Sequence, residues 1–335
     1  MKTEVLSGRA SETLDRATEA LRRGDLVAVP TETVYGLAAD GLREEAVLKI
    51  FQAKSRPRFD PLIVHLPGVD WVDRLAKMDD GVVPQFGELH KHFWPGPLTF
   101  VFPRKTVVPD VVTAGLETVA VRVSAHPVLT AILRKFGGPV AAPSANRFGR
   151  ISPTTAAHVV DELAGLIPLV IDGGPTNHGI ESTIVALRNG RIEVLRRGPV
   201  TEEELAEFGD VVVVAASSHP EAPGQLPTHY APETPLQLIA DGSSFSPPAN
   251  KRCGLLAWKG SLLQHFSTVR RLSEREDLAE AARNLFRYLR ELDGAGLDLI
   301  VAERVPEQGL GAAINDRLRR AAARASRPCE RAPLR

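Results

Sequence analysis

Between Ala216 and Pro235 the sequence carries five prolines (Pro220, Pro223, Pro227, Pro232 and Pro235), and no apolar period survives there. A stretch of that composition is a semi-rigid linker rather than packed core. A fold must therefore be built separately on each side of it. Chain length agrees, because 335 residues are long for one domain and comfortable for two. The reading is a first domain at 1–208, a proline-rich linker at 209–235 and a smaller domain at 236–335.

Before the linker, short apolar runs alternate with amphipathic stretches. Ser11 to Arg23 reads as a helix, with Leu14, Ala17 and Leu21 on one face and Gly24 as its stop. Leu26 to Val29 is a buried strand ending at Pro30. Arg43 to Lys54 is a second helix with Val47, Ile50 and Phe51 inward; Pro57 favours an extended Arg56, so this helix ends near Ser55. Leu62–Leu66, Leu98–Phe102, Val140–Ala142 and Leu169–Ile171 read as strands, with a helix from Thr154 to Leu163 between the last two. In Thr118 to Val123 the valines take one face, and Thr118, Ala120 and Arg122 take the other. A charged residue in such a strand needs a partner or a pocket.

Asn189-Gly190 marks a hairpin between Thr183–Leu187 and Arg191–Leu195, so the first sheet is predicted to be mixed. Thr201 with Glu204 is a capping box. Beyond the linker, Leu236–Ala240, Gly254–Trp258 and Leu297–Ala302 read as strands, with helices from Glu276 to Leu292 and from Leu310 to about Ala323. That alternation predicts a small parallel α/β domain.

Charge excludes some roles. Lys plus Arg (41) equal Asp plus Glu (41), so no global field marks a nucleic-acid binder and any anion site must be local. Cys253 and Cys329 lie far apart without metal-ligand spacing, which argues against a disulfide framework or zinc module and fits a reducing compartment. No apolar signal core and no membrane-spanning run is evident, and the protein is expected in the cytoplasm, away from membranes.

Two segments carry the chemistry. Lys54-Ser55-Arg56-Pro57 sets two cations one residue apart at a helix end, and Pro143-Ser144-Ala145-Asn146 sets a hydroxyl and a carboxamide after a strand. Cations so placed can converge on a polyanion, and Ser and Asn can bond it without adding charge. Each has a bland reading: a solvated pair at a helix C-terminus, turn formers after a strand, a core histidine at His65, an internal ion-pair partner at Arg122, a strand-start hydroxyl at Ser182. One polar site at the edge of one sheet accounts for all five together. Gly309-Leu310-Gly311 lacks a third glycine and reads as a helix start rather than a dinucleotide loop.

With these residues in view, the chain resembles the long, two-domain threonylcarbamoyl-AMP synthases of the YrdC-like superfamily. The resemblance rests on Pro30-Thr31-Glu32-Thr33-Val34-Tyr35-Gly36-Leu37, on Lys54-x-Arg56-Pro57, on Pro61-Leu62-Ile63-Val64-His65 and on Phe93 to Thr99. It continues through Val121-Arg122-Val123, Pro143 to Asn146, Gly179 to Ile184, Arg196-Arg197-Gly198, His229-Tyr230-Ala231-Pro232, Gly309-Leu310-Gly311 and Asp316-Arg317-Leu318. One departure stands out: members of the family often carry Asn where this chain has Asp60, and a carboxylate there repels a triphosphate unless Mg²⁺ or Lys54 intervenes.

The resemblance implies a YrdC-like twisted mixed sheet with helices, followed by a smaller Rossmann-like α/β domain. It implies that L-threonine, bicarbonate and ATP are condensed to threonylcarbamoyl-AMP and pyrophosphate, with Mg²⁺ on the phosphates. The product would pass to a tRNA threonylcarbamoyl transferase complex for modification of adenosine 37 in certain tRNAs. Lys54, Arg56, Ser144 and Asn146 would serve the reaction. Arg56, Asp60, Thr118, Ser144, Ser152, Arg196 and Tyr230 would hold the nucleotide, and Thr33, His65, Arg122, Ser182 and the backbone at Ala142 would hold threonine. The linker, with His229 and Tyr230, would lie across the site mouth as a lid. Two alternatives stay open at this point: an RNA binder helped by the Arg317–Arg327 tail, which otherwise reads as a solvated helix face, and a carbamoyl-adenylate enzyme using another amine.

Overall fold

The computed structural model describes residues 1–214, 223, 230–242, 245–258 and 265–323. The chain forms two compact units. One comprises Met1–Phe148 with Ser152–Leu226, the other Gly149–Ile151 with Pro227–Arg335.

The first unit is built on an eleven-stranded sheet among the described residues. Its strand order is Glu4–Ser7, Leu169–Asp172, Val27–Val29, Gly36–Asp40, Val140–Ala141, Ile63–His65, Thr118–Arg122, Leu98–Pro103, Thr183–Arg188, Arg191–Arg196 and Asp210–Val213. Pairing is mixed, as predicted: Ile63–His65 runs parallel to Thr118–Arg122, which runs antiparallel to Leu98–Pro103. Asn189 (φ 53°) and Gly190 (φ 71°) close the predicted hairpin, where only small or amide side chains tolerate two positive φ values. Thr201 and Glu204 make the capping box in both directions.

One face of this sheet carries a large apolar core, to which the helix Glu44–Lys54 contributes Val47, Ile50 and Phe51. On the other face, the helices Ser11–Arg22 and Pro127–Phe136 close over Val27, Val29, Val140, Leu169 and Ile171. Further along that second face, Ile63, Val101, Ala120, Ile184, Ala186 and Leu195 form a small cluster made of strand residues alone. Period-two alternation places His65, Thr99, Arg122 and Ser182 on this same face.

Several features differ from the sequence reading, which drew neither the edge strand Glu4–Ser7 nor the helix Pro127–Phe136. Gly36–Asp40 is a central strand, although it lacks β-branched residues. Asp210–Val213 pairs in parallel with Arg191–Arg196, so the sheet runs past the boundary drawn at 208. Thr268–Arg271 is a fourth strand of the second sheet, on its edge.

The second unit holds the predicted parallel sheet, in the order Leu236–Ile239, Leu299–Glu303, Cys253–Ala257 and Thr268–Arg271. Helices Leu278–Asp293 and Leu310–Ala322 pack against each other and against the sheet, the second starting at Gly309 as expected. Arg317, read from sequence as part of a solvated face, is fully buried, with its guanidinium 5.4 Å from the centre of the Tyr230 ring. A buried cation on an aromatic ring gains attraction that an exposed one does not. Arg324, Arg327, Cys329 and His229 lie outside the described residues, as does most of the linker and with it the lid expectation. No helix among the described residues is long and apolar enough to cross a membrane.

Candidate active site

The helix Glu44–Lys54 closes with Ser55 in the left-handed region (φ 50°), and the Arg56 N–H returns to the Phe51 carbonyl at 3.0 Å. That reversal separates the two cations. Lys54 Nζ donates to the carbonyls of Ser144 (2.5 Å) and Asn146. Arg56 donates through Nε to the Asp60 carbonyl (3.3 Å) and through Nη2 to the Pro61 carbonyl (2.9 Å). Lys54 thus braces the Pro143–Asn146 turn, and Arg56 braces the entry to strand Ile63–His65. Both cations are buried, and burial together with the Arg56 charge holds the Lys54 amine well below its ordinary value.

Asp60 gathers the charged groups. It is fully buried, forms an ion pair with Arg56 Nη2 at 2.8 Å, and neither carboxylate oxygen receives a hydrogen bond of good geometry among the described residues. Burial pushes its carboxyl above the ordinary value, while Arg56, Lys54 and Arg196 all pull it back. The three cations expected at the nucleotide therefore share one carboxylate.

Arg196 joins this corner to the next. Its Nη2 donates to both the carbonyl (2.9 Å) and the hydroxyl (3.1 Å) of Ser182, and Nη1 donates to the carbonyl of Pro223 at 3.1 Å. The Ser182 hydroxyl also meets Thr99 Oγ1 at 2.8 Å. A residue expected on the nucleotide is thus bonded to one expected on threonine.

The second corner is built around Arg122. Register pairs it with His65. Its Nε donates to the Gly96 carbonyl (3.0 Å), Nη1 donates to Thr33 Oγ1 (3.0 Å), and Nη2 forms an ion pair with Glu32 Oε1 at 2.6 Å. Thr31 and Thr33 share a hydrogen bond of 2.8 Å. Glu32 also accepts from the Ser124 hydroxyl and, at 3.1 Å, from the Ala125 N–H. Burial alone would raise the Glu32 carboxyl, but the Arg122 charge and these hydrogen bonds outweigh it and hold it at about 2. His65 is buried, its Nδ1 has no partner among the described residues, and burial with the neighbouring Arg122 charge lowers its pKa to about 3. The imidazole is therefore neutral at any working pH.

The remaining expected residues are dispersed around these corners. Ser144 is half-buried beside Gly36, and Asn146 Nδ2 donates to the Arg147 carbonyl at 2.8 Å. The Ser152 hydroxyl donates to Glu181 Oε1. The Ala142 N–H is taken by the Ile63 carbonyl at 3.0 Å. Thr118 opens the strand that Arg122 ends, on the same face and about 13 Å away by strand rise. Tyr230 belongs to the second unit, where its buried ring stacks on Phe286 with centroids 5.5 Å apart. It packs there as core, with its backbone in the left-handed region (φ 62°).

Sequence reasoning passed over Glu32, Thr99, Ser124 and Glu181. For Glu32 the signal was present: an acid flanked by threonines after a buried strand, in a chain whose Arg122 already required a partner.

Residues 19–198 match the Sua5/YciO/YrdC family, described as Telomere recombination, and residues 200–323 match the family described as Threonylcarbamoyl-AMP synthase, C-terminal domain. The threonylcarbamoyl-AMP synthase of Pyrococcus abyssi is 40% identical, with 90% of this chain and 91% of that one covered. That of Bacillus subtilis is also 40% identical, with 92% of each covered. The crystal structure of P. abyssi Sua5 complexed with L-threonine superposes with a TM-score of 0.88 at 37% identity, covering 97% of this chain and 98% of that one. Sequence, length and fold agree over both units, and the chain belongs to the threonylcarbamoyl-AMP synthase family.

Proposed function

We propose that this protein is an L-threonylcarbamoyladenylate synthase, a nucleotidyltransferase that condenses L-threonine, bicarbonate and ATP to threonylcarbamoyl-AMP and pyrophosphate. The observation that carries the reading is the Arg196–Ser182 contact, which bonds a residue assigned to the nucleotide directly to one assigned to threonine. The threonine amine captures carbon dioxide as a carbamate, a carbamate oxygen attacks the α-phosphorus, and pyrophosphate leaves. No protein nucleophile is required, so catalysis rests on positioning and charge. Arg122, fixed on three sides, suits the planar threonine carboxylate. Neutral His65 offers a ring nitrogen without adding charge. Arg56 and Arg196 suit the phosphates, and Lys54 acts through the turn that carries Ser144 and Asn146.

Mg²⁺ fits this site as a companion of the phosphates. Among the described residues no group of three or more His, Cys, Asp or Glu side chains is placed to hold a metal. Magnesium characteristically keeps its waters and binds through one or two carboxylates plus substrate phosphates. Asp60, with two oxygens that receive no hydrogen bond among the described residues, is the carboxylate that would contribute. The labile product implies a threonylcarbamoyl transferase acting on tRNA in the same compartment, taken here as the cytoplasm.

Purified protein is expected to release pyrophosphate only when threonine and bicarbonate are both present, with threonylcarbamoyl-AMP identified by mass spectrometry. Equal release without threonine would sink the assignment. A second measurement concerns Asp60. Removing its charge while keeping its shape leaves Arg56 and Arg196 facing the triphosphate without a competing anion. Asp60→Asn is expected to tighten ATP binding about tenfold by calorimetry in the absence of Mg²⁺. Weaker binding would show that Asp60 serves the nucleotide chiefly by holding Arg56 in place.

A further inference from the structure

The second unit ends its parallel strands at a cavity that the reaction above does not use. The cavity is about 370 Å³, within the size class of small-molecule sites. Its walls include Asp241, Trp258, Glu303, Arg304, Val305 and Pro306, the residues at or just beyond the carboxyl ends of Leu236–Ile239, Cys253–Ala257 and Leu299–Glu303.

The position is set by topology. From Cys253–Ala257 the chain moves outward to the edge strand Thr268–Arg271. From Leu299–Glu303, the neighbouring strand, it leaves in the opposite direction, into the helix Leu310–Ala322 that packs on Leu236–Ile239. Two adjacent strands whose connections part in this way open a crevice at their carboxyl ends, which is where open α/β sheets bind ligands.

The crevice is built rather than incidental. Glu303, buried at the end of its strand, accepts the Gly242 N–H through Oε1 (2.6 Å) and the Trp258 N–H through Oε2 (2.5 Å). One carboxylate thereby pins the turns that follow both flanking strands. Trp258 is buried, and its indole N–H has no acceptor among the described residues. Arg304 is exposed and forms no ion pair among them. The wall thus offers a cation, an N–H donor without an acceptor among the described residues, carboxylates at a strand end and the apolar surfaces of Trp258, Val305 and Pro306.

We propose that this crevice binds a nucleoside monophosphate, with the phosphate on Arg304, ribose hydroxyls toward the strand-end carboxylates and the base against Trp258. A strand-end carboxylate is the usual partner of ribose hydroxyls in such crevices. A guanidinium suits the phosphate, and an aromatic wall suits the base. The site would let the second unit sense the nucleotide pool from which the first unit draws.

The test uses the full chain with ¹⁵N-labelled tryptophan. The three tryptophans, Trp71, Trp94 and Trp258, give three indole resonances, and Trp258→Phe assigns the one at issue. AMP is expected to move the Trp258 resonance saturably at sub-millimolar to millimolar concentration. Arg304→Glu should weaken that titration by at least about tenfold, at an exposed position where folding is unaffected. Inorganic phosphate and ribose 5-phosphate serve as partial ligands and should bind more weakly than AMP. A Trp258 resonance that stays still, or moves identically in Arg304→Glu, overturns the proposal. Equal affinity for inorganic phosphate would reduce the crevice to a simple anion site and overturns the nucleotide assignment. Movement of Trp94 alone would report nucleotide in the first unit only, with the same consequence. Pyrophosphate release, measured separately, reports on the synthase activity whatever the crevice does.

Discussion

Glu32→Ala is expected to destabilise the first unit by about 3–5 kcal/mol, the range for removing one partner of a buried ion pair. The reason is what remains behind. Arg122 keeps its charge and its bonds to Gly96 and Thr33, but loses its counter-ion at 2.6 Å in a site closed to water. Ser124 and Ala125 lose the acceptor that anchors the chain just before the helix Pro127–Phe136. The urea midpoint, followed by Trp71 and Trp94 fluorescence in a Trp258→Phe background, gives the cost. Glu32→Gln separates folding from function. It keeps the shape and one acceptor oxygen, so the unit should fold, while Arg122 loses the ionic anchor that sets its fork. The threonine KM should then rise at least about tenfold with ATP affinity unchanged. A Glu32→Ala protein within about 1 kcal/mol of wild type would show that Arg122 is stabilised from elsewhere.

How much of this was legible depended on how local each determinant is. The Asn189-Gly190 hairpin and the Thr201–Glu204 capping box were readable because turn and cap chemistry act over four residues. The strand ending at Arg122 was readable because one of its faces is all valine. Gly36–Asp40 was not readable. It lies in the middle of the sheet with both faces covered, so its small residues show no alternation to detect. Within the site, residue types were legible and pairings were not. Lys54 and Arg56 are two positions apart, yet they part at Ser55 because that residue turns left-handed. The contacts that fix Lys54 to Ser144, Thr33 to Arg122 and Glu32 to Ser124 span about ninety residues each, and no local pattern encodes them. Arg317 misled for a related reason: its helix spacing suits solvent, and among the described residues the distant Tyr230 ring and the adjacent Asp316 carboxylate both receive its guanidinium.

His65 supplies a second large effect, in the pH dependence of stability. Its pKa falls from the ordinary 6.5 to about 3 on folding. In that window the unfolded chain binds a proton that the folded chain refuses, so stability declines as pH falls from about 6.5 and stops declining near 3. The loss from this residue amounts to roughly 2 kcal/mol between pH 8 and pH 5, and to roughly 4 kcal/mol by pH 3. His126, whose pKa is lowered by burial, adds to the trend with the same sign. Glu32 contributes only at lower pH, since its stabilisation persists until its carboxylate is protonated between about 4.5 and 2. His65→Asn isolates the term, because the substituted side chain does not titrate. The variant should be less stable than wild type at pH 8, and the gap should narrow by about 2 kcal/mol at pH 5, read from urea midpoints. Burial sets the direction and Arg122 reinforces it: a proton on His65 would place a charge in a dry site, beside a cation to which Glu32 is already committed. A gap that stays constant from pH 8 to pH 5 would mean that the imidazole reaches water or an acceptor through local opening, and the neutral-histidine account of the threonine corner would fall with it.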